Sequence, residues 1–131
     1  MAKKGALAMR KQALSKKERL VLDHFMERVQ QALGNSLKEM VLFGSRARGD
    51  DEPDSDFDIL VIVEEETWQV RDAVSLAASR VSLDEGMLIS PKVIAQNRWD
   101  EMRGFNLRHN IQRDGLKLSS EEGILTLSPL A

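Results

Sequence analysis

The first regular pattern along the chain is a helical one that begins after Ser15. Its apolar residues recur every three or four positions and so share one face: Leu22, Phe25, Met26, Val29 and Leu33. Serine is a favoured N-cap residue, and a glycine followed by asparagine is typical of a helix end. The pattern therefore predicts an amphipathic helix from Ser15 to about Leu33, stopped by Gly34-Asn35.

Three apolar segments further along predict strands. Residues 37–43 end in an apolar run, and residues 59–63 are apolar throughout, which is typical of a strand covered on both faces. Residues 86–95 alternate more loosely and predict a third strand. Pro91 suits an edge position or an irregularity in it, because proline cannot donate a backbone hydrogen bond.

Further helices are predicted between and after these strands. Residues 66–83 carry a helical pattern with one apolar face: Val70, Val74, Ala77, Ala78 and Val81. Asn97 is a candidate N-cap for a short helix, and another helix spans residues 106–113. Residues 116–118 predict a terminal strand, after which we expect a weakly structured segment.

Helices that alternate with strands in this order indicate the α/β (α+β) fold class. With 131 residues and 14.8 kDa, the chain is long enough to bury a core but too short for a second one. We expect a loosely ordered basic N-terminus (residues 1–14), one folded domain (residues 15–118) and a C-terminal tail (residues 119–131).

Composition narrows the class of protein. The chain contains no cysteine, which excludes disulfides, thiolate metal sites and cysteine nucleophiles, and its two histidines give zinc catalysis little to use. No apolar run approaches the roughly 20 residues that span a bilayer, and the Lys-rich start lacks the apolar segment of a secretory signal. We therefore expect a cytoplasmic protein that does not enter the membrane.

Charge is distributed unevenly along the chain. The net charge of −2 and a pI near 5.7 argue against a general nucleic-acid-binding protein. The basic start is typical of a solvated tail, and RNA binding through it is the least favoured interpretation. Acidic residues crowd a central loop, and four of them are interpreted as solvated: Asp50, Asp51, Glu52 and Asp54.

Asp56 and Asp58 introduce the second predicted strand and are the strongest candidates for chemistry. Because side chains of a strand alternate between its faces, the two carboxylates project to the same side, about 7 Å apart, while Phe57 points the other way. Like charges this close repel each other unless a cation lies between them. Such oxygen ligands suit Mg²⁺ or Mn²⁺, whose shell is completed by water and substrate phosphates.

A glycine–serine turn follows the first predicted strand. Gly44 allows close approach of the backbone, and Ser45 is a favoured N-cap for a short helix that reaches Gly49. The start of such a helix presents backbone N–H groups to an anion, most often a phosphate, and Arg46 and Arg48 are able to add charge-assisted contacts. In the alternative interpretation, Ser45 only caps the helix and both arginines are solvated.

The spacing of these residues resembles a known signature. Gly44-Ser45, ten intervening residues and Asp56-x-Asp58 are similar to the motif of the polymerase-beta-like nucleotidyltransferase superfamily. Residues 41–63 resemble its minimal nucleotidyltransferase (MNT) branch, which includes the antitoxin partners of HEPN-domain toxins. The resemblance implies the nucleotidyltransferase fold, a small mixed β-sheet flanked by helices. A weaker match, at residues 110–118, is similar to the I-x-x-E-G-x-x-L ending of such domains.

The resemblance also implies a reaction, the transfer of a nucleoside monophosphate, AMP from ATP, to a hydroxyl acceptor. By resemblance, Gly44, Ser45 and Arg46 hold the β- and γ-phosphates. Asp56 and Asp58 hold Mg²⁺ (or Mn²⁺) and are the catalytic residues. The acceptor is expected on a small helical HEPN-type partner protein, as for MNT antitoxins of toxin–antitoxin pairs.

The sequence departs from this family in one respect. Active members usually carry a third carboxylate on a later strand, and the corresponding positions here are Leu88 and Ser90, neither of which is acidic. Asp84 and Glu85 lie just before that strand and are candidate substitutes. The alternative therefore stays open that the protein is a catalytically weak or inactive subunit that acts by binding its helical partner.

Overall fold

The computed structural model describes residues 14–49 and 55–130. Within these ranges the elements follow in this order: α1 (Lys16–Leu33), β1 (Leu37–Phe43), α2 (Ser45–Arg48), β2 (Phe57–Val63), α3 (Trp68–Glu85), β3 (Ile89–Ala95), α4 (Gln96–Glu101), α5 (Asn106–Asp114), β4 (Leu116–Glu121) and β5 (Ile124–Pro129). No helix in these ranges combines the length and the apolar character needed to cross a bilayer.

Two predicted segments fall largely outside the described ranges. These are the loosely ordered N-terminus, of which only Leu14 is described, and the solvated acidic loop at residues 50–54. Leu14 itself packs against the larger of the two hydrophobic cores, the one that α1 and α3 cover. Both interpretations therefore stay predictions, and so does the N-terminal boundary proposed for the domain.

The strands form one five-stranded sheet in the order β3-β2-β1-β4-β5. β2 and β3 run parallel, whereas the other neighbouring pairs are antiparallel. The sheet is therefore mixed, and helices lie on both of its faces. This confirms the predicted fold class, and the bounds predicted for the first strand are those of β1.

Local signals account for the ends of α1. The Ser15 hydroxyl accepts the N–H of Glu18 at 3.0 Å, and the Glu18 carboxylate accepts the N–H of Ser15 at 2.7 Å. This reciprocal capping box satisfies two N–H groups that have no partner within the helix. Gly34 ends the helix with φ of 54°, a backbone region that favours glycine. The first predicted helix is thus confirmed.

Different helices cover the two faces of the sheet. α1 and α3 enclose the larger core, whose fully buried members include Val21, Leu22, Phe25, Val29, Leu42, Phe57, Ile59 and Val61. α4 and α5 share a smaller core with the opposite face: Val41, Leu60, Ile62, Ile94, Trp99 and Ile111. Because residues of β2 alternate between the faces, Phe57 and Ile59 point to the larger core and Asp58 points to the opposite side.

The C-terminal segment differs from the prediction. The chain after Ser119 is not weakly structured, because β4 extends to Glu121 and pairs with β5 in a hairpin. Glu122 and Gly123 adopt positive φ values of 53° and 77°, which closes the tight turn. Leu125, at 5% exposure, then reaches the larger core and holds the hairpin to the domain.

The start of α4 also differs from the prediction. Its N-cap is Ala95 rather than Asn97, whose side chain accepts only from the adjacent N–H of Arg98. The N–H of Ala95 donates instead to the Glu66 carboxylate, at 2.9 Å. α4 therefore begins without a side-chain cap, and a carboxylate from the loop before α3 satisfies the N–H of its N-cap residue.

The exposed edge of β3 has few backbone amides left for strand pairing. Pro91 has no N–H, and its position on this edge strand agrees with the prediction. The N–H of Ile89 donates to the Ser82 hydroxyl at 3.1 Å, and that of Ala95 is taken by Glu66. Blocking edge amides in this way opposes the addition of a further strand.

Candidate active site

The first half of the site is the turn that joins β1 to α2. Gly44 has φ of 77°, and its carbonyl accepts the N–H groups of Ala47 and Arg48, each at 3.1 Å. Gly44 is therefore the N-cap and Ser45 the first helical residue, so the predicted cap at Ser45 is displaced by one position. The N–H of Ser45 precedes the first hydrogen-bonded turn of α2, where helices commonly bind anions.

The turn lies directly against the second half of the site, the start of β2. Phe43 pairs with Asp58 across the β1–β2 ladder, which brings the next residue, Gly44, beside the Asp58 carboxylate. A methyl group added to Gly44 would overlap Asp58 Oδ2 and lie 3.3 Å from Cγ. Any other residue here would have to displace this carboxylate and adopt a strained φ, and the serine turn and the acidic strand are therefore immediate neighbours.

The two predicted carboxylates lie close enough to influence each other. Asp56 precedes β2 and is exposed, whereas Asp58, the second residue of β2, is half-buried. Burial and, to a lesser degree, the charge of Asp56 raise the pKa of Asp58, and the nearby Arg48 guanidinium opposes this. The ionised form of Asp58 is thus held in an unfavourable environment that a bound cation would relieve.

Arg46 occupies a different place from the one predicted for it. Its side chain is only 5% exposed and lies between the start of α1 and the start of β2. The guanidinium contacts the Glu18 carboxylate, and Nε and Nη2 donate to Ser55 O at 3.0 and 2.7 Å. With these groups as neighbours, Arg46 faces the protein interior rather than the outer side of the turn.

A cleft of about 200 Å³ opens between the turn and α5. Its walls are formed by Phe43, Gly44, Arg48, Leu107, Asn110, Ile111, Arg113 and Asp114. The lining combines apolar side chains with Arg48 and with Arg113, which is paired with Asp114 at 2.9 Å. Apolar and cationic groups together suit an aromatic or sugar ring that bears phosphates. Motif analysis missed the α5 residues as part of the site, although the weak match at residues 110–118 was the available signal.

The third carboxylate is absent from the predicted positions. β3 runs parallel to β2, and Ser90 pairs with Asp58, so position 90 is the place beside the site where an acid would stand. Among the described residues, no group of three acidic, histidine or cysteine side chains is arranged to hold a metal ion. The site within the described chain therefore has two carboxylates.

Neither candidate substitute reaches this place. Asp84 and Glu85 lie at the end of α3, where they contact α1 on the opposite face of the sheet. Asp84 approaches Arg28 at 3.8 Å, and Glu85 contacts His24 Nδ1 at 2.7 Å. The contact between Glu85 and His24 connects α3 to α1, away from the candidate site.

The sequence of this chain is similar to those of known proteins. The model of the nucleotidyltransferase domain family matches residues 22–113. MJ0141, a candidate protein adenylyltransferase of Methanocaldococcus jannaschii, is 34% identical over 92 residues, which cover 66% of this chain and 93% of the relative. The family match spans the turn and the two aspartates.

Solved structures with a similar fold include a toxin–antitoxin with AMP-PNP, which gives a TM-score of 0.48 at 16% identity and covers 72% of this chain and 70% of that chain. A mutant of the toxin–antitoxin MntA-HpeT gives the same TM-score at 14% identity over the same shares. The family match and the identity to MJ0141 confirm the resemblance inferred from residues 41–63. This chain belongs to the nucleotidyltransferase domain family.

Proposed function

We propose that this protein is a Mg²⁺-dependent nucleotidyltransferase that transfers AMP from ATP to a hydroxyl group of a partner protein. The observation that carries the proposal is the packing of Gly44 against the Asp58 carboxylate. This closeness supports a site in which a turn suited to an anion and a strand suited to a cation act together, as a metal–triphosphate complex requires. The family match supports the type of reaction, and the name of MJ0141 supports a protein as the acceptor.

In this proposal, one group of residues binds the phosphates and another binds the metal ion. The N–H groups at the start of α2, with the Ser45 hydroxyl, hold the outer phosphates, and Arg48 adds charge at the mouth of the cleft. Asp56 and Asp58 are the donors that fit Mg²⁺ or Mn²⁺, which binds one or two carboxylates together with substrate phosphates. When bound, the cation orients the α-phosphorus and stabilises charge on the leaving pyrophosphate.

The test is transfer of label from α-labelled ATP to a candidate helical partner in the presence of Mg²⁺. Asp56→Asn and Asp58→Asn are each expected to reduce transfer by at least about 10²-fold, since they remove charge from the centre of the reaction. Asp72→Asn changes an exposed aspartate on α3 and is the matched control, with transfer expected to stay within about twofold of wild type. Absence of transfer by the wild type, or transfer that survives both site substitutions together, contradicts the proposal.

The pairing of Ser90 with Asp58 favours a second candidate function. A serine in place of a general base supports a slow enzyme, or a subunit that neutralises a HEPN-type helical partner by binding alone. In this case, Asp58→Asn protects cells from the partner as well as the wild type does. Loss of protection in that variant, with the complex still intact on co-purification, excludes a purely steric role.

A further inference from the structure

Arg46 is a buried arginine at the junction of the two halves of the site. It follows Ser45 directly in α2, yet its side chain is turned inward and only 5% exposed. A buried guanidinium is costly unless its charge is paired and its N–H groups are hydrogen-bonded. The described contacts meet both conditions.

Two of these contacts hold the residues on either side of Asp56. Nε and Nη2 of Arg46 donate to the carbonyl of Ser55 at 3.0 and 2.7 Å. The guanidinium also lies over the ring of Phe57, 4.4 Å from its centroid. Asp56 precedes β2 and its regular strand pairing. The Arg46 side chain nevertheless restrains it, because it contacts the residues on both sides of Asp56.

The third contact fixes the guanidinium itself. Glu18, in the first turn of α1, directs one carboxylate oxygen to Arg46 and the other to the N–H of Ser15. The capping box therefore sets the position of Glu18, and Glu18 sets the position of Arg46. A rigid helix start is connected in this way to the segment that carries Asp56.

We propose that Arg46 is a positioning residue that fixes Asp56 relative to the Ser45 turn, and that Glu18 holds it in place. This inference rests on the proposed function in one respect. That function explains why the distance between Asp56, as a metal ligand, and the Ser45 turn, as a phosphate-binding group, matters. Arginine is required because its planar fork gives two N–H groups to one carbonyl and stacks on the Phe57 ring. Lysine keeps the charge that Glu18 needs but loses the fork and the flat stacking surface.

The chain offers a matched control in Arg108. It is also buried, stacks over Trp99 at 4.6 Å and donates from Nη1 to the Trp99 carbonyl, and it belongs to α5. Unlike the Nε of Arg46, its Nε has no hydrogen-bond partner within the described chain. Arg46→Lys and Arg108→Lys therefore both remove a buried guanidinium that stacks on an aromatic ring and donates to a backbone carbonyl. Both are expected to lower the melting temperature, and only the first is expected to affect the site.

The first measurement is binding of Mn²⁺ without nucleotide, by calorimetry or by the electron paramagnetic resonance of free Mn²⁺. Arg46→Lys is expected to weaken binding by about tenfold or more, as loss of a group that orients a metal ligand does. Glu18→Gln, which keeps a capping side chain, is expected to weaken it less, and Arg108→Lys to leave it within about twofold. Equal Mn²⁺ affinity in Arg46→Lys and wild type overturns the proposal.

The second measurement separates this proposal from the proposed function. Hydrogen exchange of the peptide that covers residues 55–58 is expected to accelerate about tenfold in Arg46→Lys and to stay unchanged in Arg108→Lys. If the wild type fails to bind Mn²⁺, the metal assignment fails, and this exchange result still decides the role of Arg46. Unchanged exchange at residues 55–58 in Arg46→Lys contradicts positioning of Asp56.

Discussion

The two sides of strand β2 serve different purposes. Towards α1 and α3, Phe57, Ile59 and Val61 are completely buried in the larger core. Towards the other side, the strand begins with Asp58, whose pKa is raised by burial and by Asp56. The apolar side provides the rigidity that allows the other side to hold a carboxylate where its charge is unfavourable, a common compromise between stability and function.

Gly44→Ala is expected to have the largest effect on this arrangement, because the new methyl group overlaps the Asp58 carboxylate and the backbone has φ of 77°. We expect transfer activity to fall by at least about 10²-fold and the free energy of unfolding to fall by about 2–4 kcal/mol. Gly86→Ala is the control, since its φ is 72° but no atom lies within 4 Å of the added methyl group. A loss of activity of the same size in both variants would show that backbone strain alone is responsible.

Ile59→Ala and Ile62→Ala compare the two sides with the same substitution on one strand. Both isoleucines are buried, but Ile59 belongs to the larger core and Ile62 to the smaller one. Leu or Ile to Ala changes cost about 2–5 kcal/mol, and we expect Ile59→Ala near the upper end and Ile62→Ala near the lower end. The reason is that the short helices over Ile62 can close a cavity more easily. Urea unfolding measures the difference, and equal costs would argue against unequal rigidity.

Asp58→Asn is expected to stabilise the protein while it removes activity. An acid whose pKa is higher in the folded state binds more protons when folded, so its contribution to stability falls as pH rises above the ordinary carboxyl range. At neutral pH the amide avoids this cost, and we expect a rise in melting temperature of roughly 2–5 °C, which corresponds to about 1 kcal/mol. The gain is expected to shrink as pH falls towards 4. A lower melting temperature at pH 7 would show that Asp58 has a stabilising partner.

Glu66→Gln tests a carboxylate with the opposite pKa shift and a smaller expected effect. Burial alone would raise the pKa of Glu66, but the N–H of Ala95 together with Arg98 and Arg71 outweighs it and lowers the pKa. The stabilisation is therefore complete above the ordinary carboxyl range and is lost as pH falls through the lowered pKa. We expect Glu66→Gln to cost about 1 kcal/mol at pH 7, because a charged hydrogen-bond acceptor is replaced by a neutral one, and to cost less at pH 3. A pH-independent cost would mean that packing, not charge, is the cause.

The sequence predicts those parts of the fold that depend on near neighbours in the chain. The bounds of β1, the Ser15 N-cap and the edge position of Pro91 each follow from a few adjacent residues. The closeness of Gly44 and Asp58 was predictable because a fixed spacing connects a turn to the next strand. The turn at Glu122-Gly123 carried a similar local signal, and the hairpin it closes was missed because the segment is short and polar at its ends.

Other parts of the site depend on contacts that no local pattern contains. The direction of the Arg46 side chain is set by Glu18, which lies 28 positions earlier in the chain. The local motif contains only its neighbour Ser45, and it therefore suggested that Arg46 points outward to bind phosphate. The position of α5 over the cleft is likewise a result of packing against the smaller core. Motifs identify which residue types are available for chemistry, and tertiary packing decides where each side chain points.

The occupied amides of β3 restrict how an acceptor can approach Ser90 and Asp58. Ile89 and Ala95 have already given their N–H groups to Ser82 and Glu66, and the proline between them has none to give. Under the proposed function, a protein acceptor therefore gains little by lying along this border as an extended segment. It would present its hydroxyl on a protruding side chain from a helix or a bend, and the shape of that protrusion, more than its main chain, would decide which proteins are modified.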